Sequence, residues 1–526
     1  MILFDVIVVG SGPAGTFASY ALRDKNVLML DVGFTPPPSG DLKGNLFTLR
    51  QKEADLFHCL IGEGFEGMQN IRNRKISLKL KSPYMSYIIR KSEELAPIVS
   101  GSFEGMTSLA MGGLANAWGA GVYRFNDRDL QNFPVSARDL TPYYDQLTSH
   151  IGISGANDDL QRYFGHDEGL QEPMRISRFA AEFLGGYSRN RSYFNSRGIY
   201  VGLPRLAVLT SDHNGREKYR YEYLEFYKSM IPAVYTPAYT LKSLLADQSI
   251  QYRNNYLVTR YTERADHVEV IAKHLGNGGT ETFMARRLIL AAGALNTARI
   301  VLQSHNDYES RLPILDNQMS VILLFRPGLI GAKPDIEGTS LAQLNIVYSG
   351  PLSADTLQAS LYGTQGPLRT DVLFDLPMTI SANMSLIKYT AQASGAAMLF
   401  YPGKPGPGNF MRLKPDGSVE VQYDNHESGP PERLLIKSFR KIGYYGASFM
   451  CQTPKMGSGL HYAGMLPMKT APGRYETNSR GLLSASDRVY IADGACFSGL
   501  PSKNLTFTIM ANSMRIADLI RKELDL

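Results

Sequence analysis

The stretch Phe4-Asp5-Val6-Ile7-Val8-Val9-Gly10-Ser11-Gly12-Pro13-Ala14-Gly15 decides the fold. A short β-branched apolar run reads as a buried parallel strand. The helical pattern Thr16-Phe17-Ala18-Ser19-Tyr20-Ala21-Leu22 follows the glycines, then a second apolar run, Val27-Leu28-Met29-Leu30, which ends at Asp31. A G-x-G-x-x-G motif between strand and helix, with an acid 16 residues after its last glycine, is the dinucleotide-binding fingerprint. Gly10 permits the tight turn, Gly12 lets backbone approach a pyrophosphate, and Gly15 lets the helix pack closely on the strand. Pro13 and Ala14 open the helix, whose unpaired N–H groups favour phosphate. Asp31 is expected to accept ribose hydroxyls.

Working outward, Gly112-Gly113-Leu114-Ala115-Asn116-Ala117-Trp118-Gly119-Ala120-Gly121 forms a second glycine-rich stretch, with the chain's single tryptophan. Such a loop lets backbone come close to a flat ligand. Residues 250–292 alternate apolar and polar before Arg287-Leu288-Ile289-Leu290-Ala291-Ala292-Gly293. That pattern predicts a β-meander returning to the parallel sheet. Strand-like runs recur over 315–425 (Val321–Phe325, Gln343–Tyr348), and Pro415-Asp416-Gly417 predicts a hairpin between Met411–Leu413 and Val419–Val421. These runs are expected to form an antiparallel sheet in a second domain. Near the end, Arg488–Ile491 reads as a strand running into Asp493-Gly494, and Asn504 opens a helix reaching about Lys522.

Composition limits the alternatives. The chain has 526 residues, 44% apolar and 20% charged, enough for two or three structural units around ordinary cores. A net charge of +6 over this length is too mild to point to nucleic acid. Cys59, Cys451 and Cys496 are far apart without metal-ligand spacing, so neither a disulfide framework nor a metal site is expected. The start shows no basic segment or cleavage site, and no apolar run approaches the roughly 18–20 residues of a membrane span. A cytoplasmic location is the expectation. Residues 72–91 are basic with interleaved Tyr84, Met85 and Tyr87; they suit either a phosphate-bearing or membrane-surface partner, or a solvated face, and such runs are usually the latter.

The order of these pieces resembles the glucose–methanol–choline (GMC) oxidoreductase family, tightly over 4–33, 105–150, 285–304 and 455–520. Phe133-Pro134 to Leu140-Thr141-Pro142-Tyr143-Tyr144 is similar to the family's "WP…DL.PYY" stretch. Leu290-Ala291-Ala292-Gly293-Ala294 with Thr297 is similar to "AAGA…T", His461, Gly464 and Met468 to "HxxGxxxM", and Asp493-Gly494 with Asn504 to "DGS…N".

The resemblance implies an α/β fold: a Rossmann-like FAD-binding domain of GMC type, parallel sheet plus meander, and an α+β substrate domain on an antiparallel sheet. The first would comprise 1–150, 236–305 and 455–526, and the second 151–235 and 306–454. It implies non-covalent FAD held by Gly10, Gly12, Pro13, Ala14, Gly15, Asp31, Gly113, Asn116, Trp118, Gly119, Val258, Ala292, Gly293, Asp493, Gly494, Asn504 and Leu505. Val258 would meet adenine through its backbone, and Asp493 the ribityl–phosphate region. Some members attach flavin through a histidine before the loop tryptophan; Ala117 stands there and offers no attachment point.

The implied reaction is oxidation of a small-molecule alcohol, with O2 or another acceptor taking the electrons. His461 would accept the hydroxyl proton, a task suited to imidazole, while Asn504 would orient the oxygen. A polar, sugar-like or secondary-metabolite substrate is expected, handled by the Tyr- and Arg-rich 150–235 region, densest at Lys218–Tyr223. The chain departs from the family pattern at Met465, at Leu505 where proline commonly follows the asparagine, and in lacking a cysteine-rich patch near 210–235. These departures motivate the alternative of a flavin-dependent desaturase, isomerase or decarboxylase acting on a biosynthetic intermediate.

Overall fold

The β-branched run at the start does what its composition dictates. In the computed structural model it is strand β1 (Leu3–Val9), followed by α1 (Pro13–Ala21) and β2 (Val27–Leu30), which pairs parallel to β1. The structure describes residues 2–37, 44–46, 48–49, 80, 82–364, 378–424 and 429–525.

Four further strands of the same sheet come from 250–290: β3 (Gln251–Arg253), β4 (Tyr256–Glu263), β5 (Val268–His274) and β6 (Thr280–Leu290). Strands β4 to β6 form the antiparallel meander. The eleven residues of β6 serve two purposes. The first half pairs with β5, and the second half runs parallel to β7 (Val489–Ile491). Along its other edge β6 lies parallel to β1, from Leu3 opposite Met284 to Val9 opposite Leu290. The sheet order is therefore β3-β2-β1-β6-β5-β4, with β7 also on β6.

Alternation along β1 sorts the two faces, because successive side chains leave a strand on opposite sides. Val6 and Val8 pack with Ala14 and Ala18 of α1 and with Ile516, Ala517 and Ile520 of α3 (Thr506–Leu524). Ile7 and Val9 share a core with Leu295 and Ala298 of α2 (Ala294–Ser304). The three helix N-termini or their lead-in turns thus converge on the C-terminal ends of parallel strands, the place where open α/β sheets bind ligands.

A second, antiparallel sheet of five described strands runs Met319–Phe325, Ser394–Phe400, Leu357–Gly363, Leu344–Tyr348 and Ile199–Gly202. One face, with Ile322, Ala359, Leu361 and Leu399, is sealed by the helices Arg178–Arg189 and Pro430–Phe439. The other face is left for the cavity.

The 411–421 hairpin forms, but outside that sheet. Its strands Phe410–Leu413 and Val419–Gln422 join Leu312–Pro313 and Ile98–Val99 in a separate four-stranded sheet. Met411, Leu413, Val419 and Val421 are buried in the same core as the first sheet. Apolar residues on both strands of the hairpin require cover, and the α2 side of the first sheet supplies it.

Candidate active site

A cavity of about 1470 Å³ runs from the glycine fingerprint to the open face of the antiparallel sheet. Typical small-ligand pockets hold about 300–1,000 Å³, so this one has room for a dinucleotide and a second molecule.

At the fingerprint end, Gly10 adopts φ +97°, and a Cβ there would sit 2.6 Å from the Ala291 carbonyl. Gly15 packs directly beneath it: a Cβ on Gly15 would collide with the Gly10 carbonyl oxygen. Gly12 is different, since nothing lies within 4 Å of where its Cβ would be. It is also the N-cap of α1 and supplies no side-chain cap, so the first N–H groups of that helix face the cavity unanswered by a cap. An open backbone approach to an uncapped helix start is a cradle for phosphate. The donor set therefore fits the pyrophosphate of FAD.

The second glycine loop closes over the first. Gly112 N–H donates to Ser11 Oγ at 3.1 Å, and a Cβ on Gly113 would stand 3.2 Å from Gly12 Cα. Ser11 in turn donates to Asp31 Oδ2, which also accepts from Tyr252 Oη at 3.1 Å. Burial pushes the Asp31 carboxyl up to about 7, against the opposing pull of those two hydroxyls.

Asp493 is likewise buried, and burial pushes it up to about 6. Its carboxylate accepts from Gly293 N–H (2.9 Å), Thr297 Oγ1 (2.5 Å) and Ala495 N–H (2.9 Å). Those bonds staple the turn after β6 to the turn after β7. The carboxylate thus shapes the cavity wall with its protein partners.

At the far end, the His461 and Asn504 side chains meet. Asn504 Nδ2 lies 3.3 Å from His461 Nε2. An amide nitrogen only donates, so this contact places a lone pair on Nε2. The Phe400 ring lies 5.0 Å from the imidazole at 34°, limiting its tilt. Behind the pair, Asn317 N–H donates to the His461 carbonyl at 3.2 Å. The Asn317 amide reaches Tyr401 O at 2.7 Å and Pro501 O at 3.0 Å, tying the two loops together. Lys503, next to Asn504, is buried; its ammonium donates to the Asp129 carboxylate and to the carbonyls of Arg124 and Tyr163.

Most residues singled out in the sequence line this one cavity: Gly10, Gly12, Pro13, Ala14, Asp31, Gly113, Trp118, Gly119, Val258, Ala292, Gly293, His461, Asp493, Gly494, Asn504 and Leu505. Gly15 and Asn116 do not. Gly15 lies beneath the turn. Asn116 is turned inward, donating to Met111 and Gly113 carbonyls at 2.8 and 2.9 Å and accepting from Thr236 Oγ1. It braces the loop from behind.

The Tyr- and Arg-rich Lys218–Tyr223 segment does not reach the cavity. Tyr219, Tyr221 and Tyr223 are buried elsewhere and the Arg220 side chain faces solvent; of the 151–235 region only Phe226 is on the lining. Aromatic rings with strong hydrophobic demand were recruited to packing. The second sheet instead gives the cavity Met319, Ser360, Tyr362, Met398 and Phe400, with no charged side chain. These positions carried no local signal, because only sheet register decides which strand face meets the site.

Of the basic run, residues 72–79 and Lys81 lie outside the described residues, as does Cys59. In the remainder, Met85 and Tyr87 are buried and Arg90 lies over the Phe34 ring at 4.9 Å. Cys451 and Cys496 are free thiols. Among the described residues no cluster could hold a metal ion, and no helix is long and apolar enough to cross a membrane.

No protein-family model matches the chain, and no curated protein matches it in sequence. Solved structures do. Pyridoxine 4-oxidase from Mesorbium loti superposes with a TM-score of 0.59 at 13% identity, covering 98% of this chain and 99% of its own. Formate oxidase from Aspergillus oryzae RIB40, studied for modification of its FAD, gives 0.58 at 11% identity, covering 99% and 98%. Both are GMC oxidoreductases, so the chain has the fold of the family its motifs resemble, over its whole length.

Proposed function

We propose that this protein is an FAD-dependent oxidoreductase that oxidises an alcohol. The observation that carries the reading is the meeting of His461 Nε2 and Asn504 Nδ2, 3.3 Å apart, in a cavity continuous with an uncapped helix start and two facing glycine loops. Both structural neighbours are oxidases by name, which supports oxidative chemistry and O2 as one acceptor.

FAD, when bound, supplies the acceptor for the hydride that leaves the alcohol carbon. The chain's own residues do the rest. His461 takes the hydroxyl proton on Nε2, where the lone pair lies. Asn504 has a second amide N–H beyond the one directed at His461, and it holds the substrate oxygen at hydrogen-bond distance. Asn317 and Lys503 fix the two loops, so the pair is set before substrate arrives. Ala117 offers only a methyl group at the loop, so no covalent link forms there, and FAD is proposed to bind non-covalently.

The substrate class is read from the face of the second sheet that lines the cavity beside the pair. Met319, Met398, Phe400 and Tyr362 present apolar and aromatic surface, with hydroxyls on the sheet at Ser360 and Tyr362, and the cavity is further lined by Ser340, Gln452, Thr453, Lys455 and Ser458. We read the sheet face as suited to an alcohol with an aromatic or aliphatic body, in place of the sugar-like substrate expected from the sequence. We keep the division into cofactor segments (1–150, 236–305, 455–526) and substrate segments (151–235, 306–454) as a proposal; the 410–422 hairpin and residues such as Leu206–Leu209, Leu312, Ile314 and Leu315 share a core with the cofactor segments.

The test is anaerobic loss of flavin colour against matched panels of aryl, alkyl and sugar alcohols, in the wild type and in His461→Ala. Colour should fade with one of the first two groups. It should fade about 10²–10⁴-fold more slowly in the variant, which keeps its flavin. Undiminished rates in His461→Ala remove the base role.

A further inference from the structure

Helix α2 turns one stripe toward the cavity: Asn296, Arg299, Ile300 and Gln303, spaced i, i+3, i+4 and i+7. Two polar atoms on this stripe lack a partner among the described residues, Asn296 Oδ1 and Arg299 Nε. Both side chains are deeply buried, at 7% and 6% exposure. Asn296 directs its amide nitrogen back at the Ala292 carbonyl (3.5 Å), which leaves its oxygen on the other side. Arg299 spends one Nη2 hydrogen on the Pro97 carbonyl at 3.2 Å and forms no ion pair with any described carboxylate. Burial without an acid draws its guanidinium down to about 10.

A buried acceptor and a buried cationic donor, one helical turn apart and facing the same cavity, are costly unless a ligand completes them. The ligand must offer a donor beside an acceptor. Phosphate offers acceptors only and would set its charge against Asn296 Oδ1. The edge of adenine offers both, the N6 amino group beside N7. Across from the stripe, the pairing of β4 with β5 slips between Val258 and Arg260, and Val258 lines the cavity. Such a bulge frees backbone groups at a site.

We propose that Asn296 and Arg299 recognise the adenine of the dinucleotide. Asn296 Oδ1 accepts from the N6 amino group, and Arg299 Nε–H donates to N7. The proposal rests on the FAD reading above and adds to it a side-chain purine reader on α2.

The experiment uses the flavin-loaded protein. FAD release is followed by the fluorescence of freed flavin, and the emptied protein is reloaded with FAD or with its hypoxanthine analogue, which carries 6-oxo in place of 6-amino and keeps N7. Wild type should prefer FAD, and Asn296→Leu should release FAD at least tenfold faster with that preference reduced at least tenfold. Arg299→Met should weaken both dinucleotides at least tenfold and leave the preference intact, since both carry N7. Should Asn296→Leu fail to fold, Asn296→Ser carries the same expectation. A purine preference unchanged in the Asn296 variants, as a ribose or phosphate contact would give, overturns the proposal. A wild-type protein that neither contains nor takes up flavin overturns instead the cofactor reading beneath it.

Discussion

If FAD binds as proposed, Asp31 should couple its binding to pH. Its carboxyl is buried at the end of β2, and burial pushes it up to about 7 although Ser11 and Tyr252 both donate to Oδ2. On the FAD reading, a ribose hydroxyl donates to this group, which favours the carboxylate over the acid. The sign then follows. The empty protein holds a proton on Asp31 below about pH 7, binding expels it, and affinity rises with pH. With a value near 7, roughly nine-tenths of the empty protein is ionised at pH 8 and roughly one-tenth at pH 6, so affinity should fall about tenfold between them, or about 1.4 kcal/mol. The assay is titration of FAD into flavin-stripped protein at pH 6, 7 and 8 and fixed ionic strength, read by quenching of flavin fluorescence. Asp31→Asn cannot titrate and should bind weakly with no slope. A flat wild-type profile, or a slope that survives in Asp31→Asn, refutes the linkage.

Other outcomes follow from the same geometry. Gly15→Ala should yield protein with little bound flavin, because its Cβ strikes the Gly10 carbonyl and neither backbone can yield; flavin content after purification reports it. Lys503→Met removes the ion-pair partner of the largely buried Asp129 carboxylate, leaving it the Asn126 N–H, and should cost about 3 kcal/mol, read as a lower urea midpoint. Asp316 accepts from Gly457 N–H, and burial pushes it up to about 8. The folded state therefore keeps a proton that the unfolded chain loses near pH 4, so flavin-free protein should lose stability as pH rises from about 4 to about 8, on the order of 5 kcal/mol from this group. Asp316→Asn should shrink that slope, as urea midpoints at pH 5 and 8 would show.

The cofactor half was legible in the sequence because its demands are local. A strand, a Gly10–Gly15 turn and an acid at 31 each impose a residue type at a set spacing. The same holds for the Ala291–Gly293 turn and the Asp493-Gly494 pair. Legibility ended where register and long-range packing decide. Nothing near Ser360, Tyr362 or Met398 shows that one strand face meets His461, since that depends on which side Ile322 and Leu361 bury against the helices. The aromatic run Lys218–Tyr223 looked like a binding surface and became core, because burying Tyr219 and Tyr223 gains more than exposing them. Asn116 sits in the right loop with its amide turned the other way, a rotamer choice set by the Met111 and Gly113 carbonyls.

The proposed function places a flavin between the glycine cradle and the His461–Asn504 pair. The visible absorption spectrum of the purified protein, taken before and after acid precipitation, tests it most directly. A yellow protein whose colour moves wholly to the supernatant as FAD is the expected result. A colourless protein that gains no flavin spectrum when incubated with FAD rules out a flavin in this cavity.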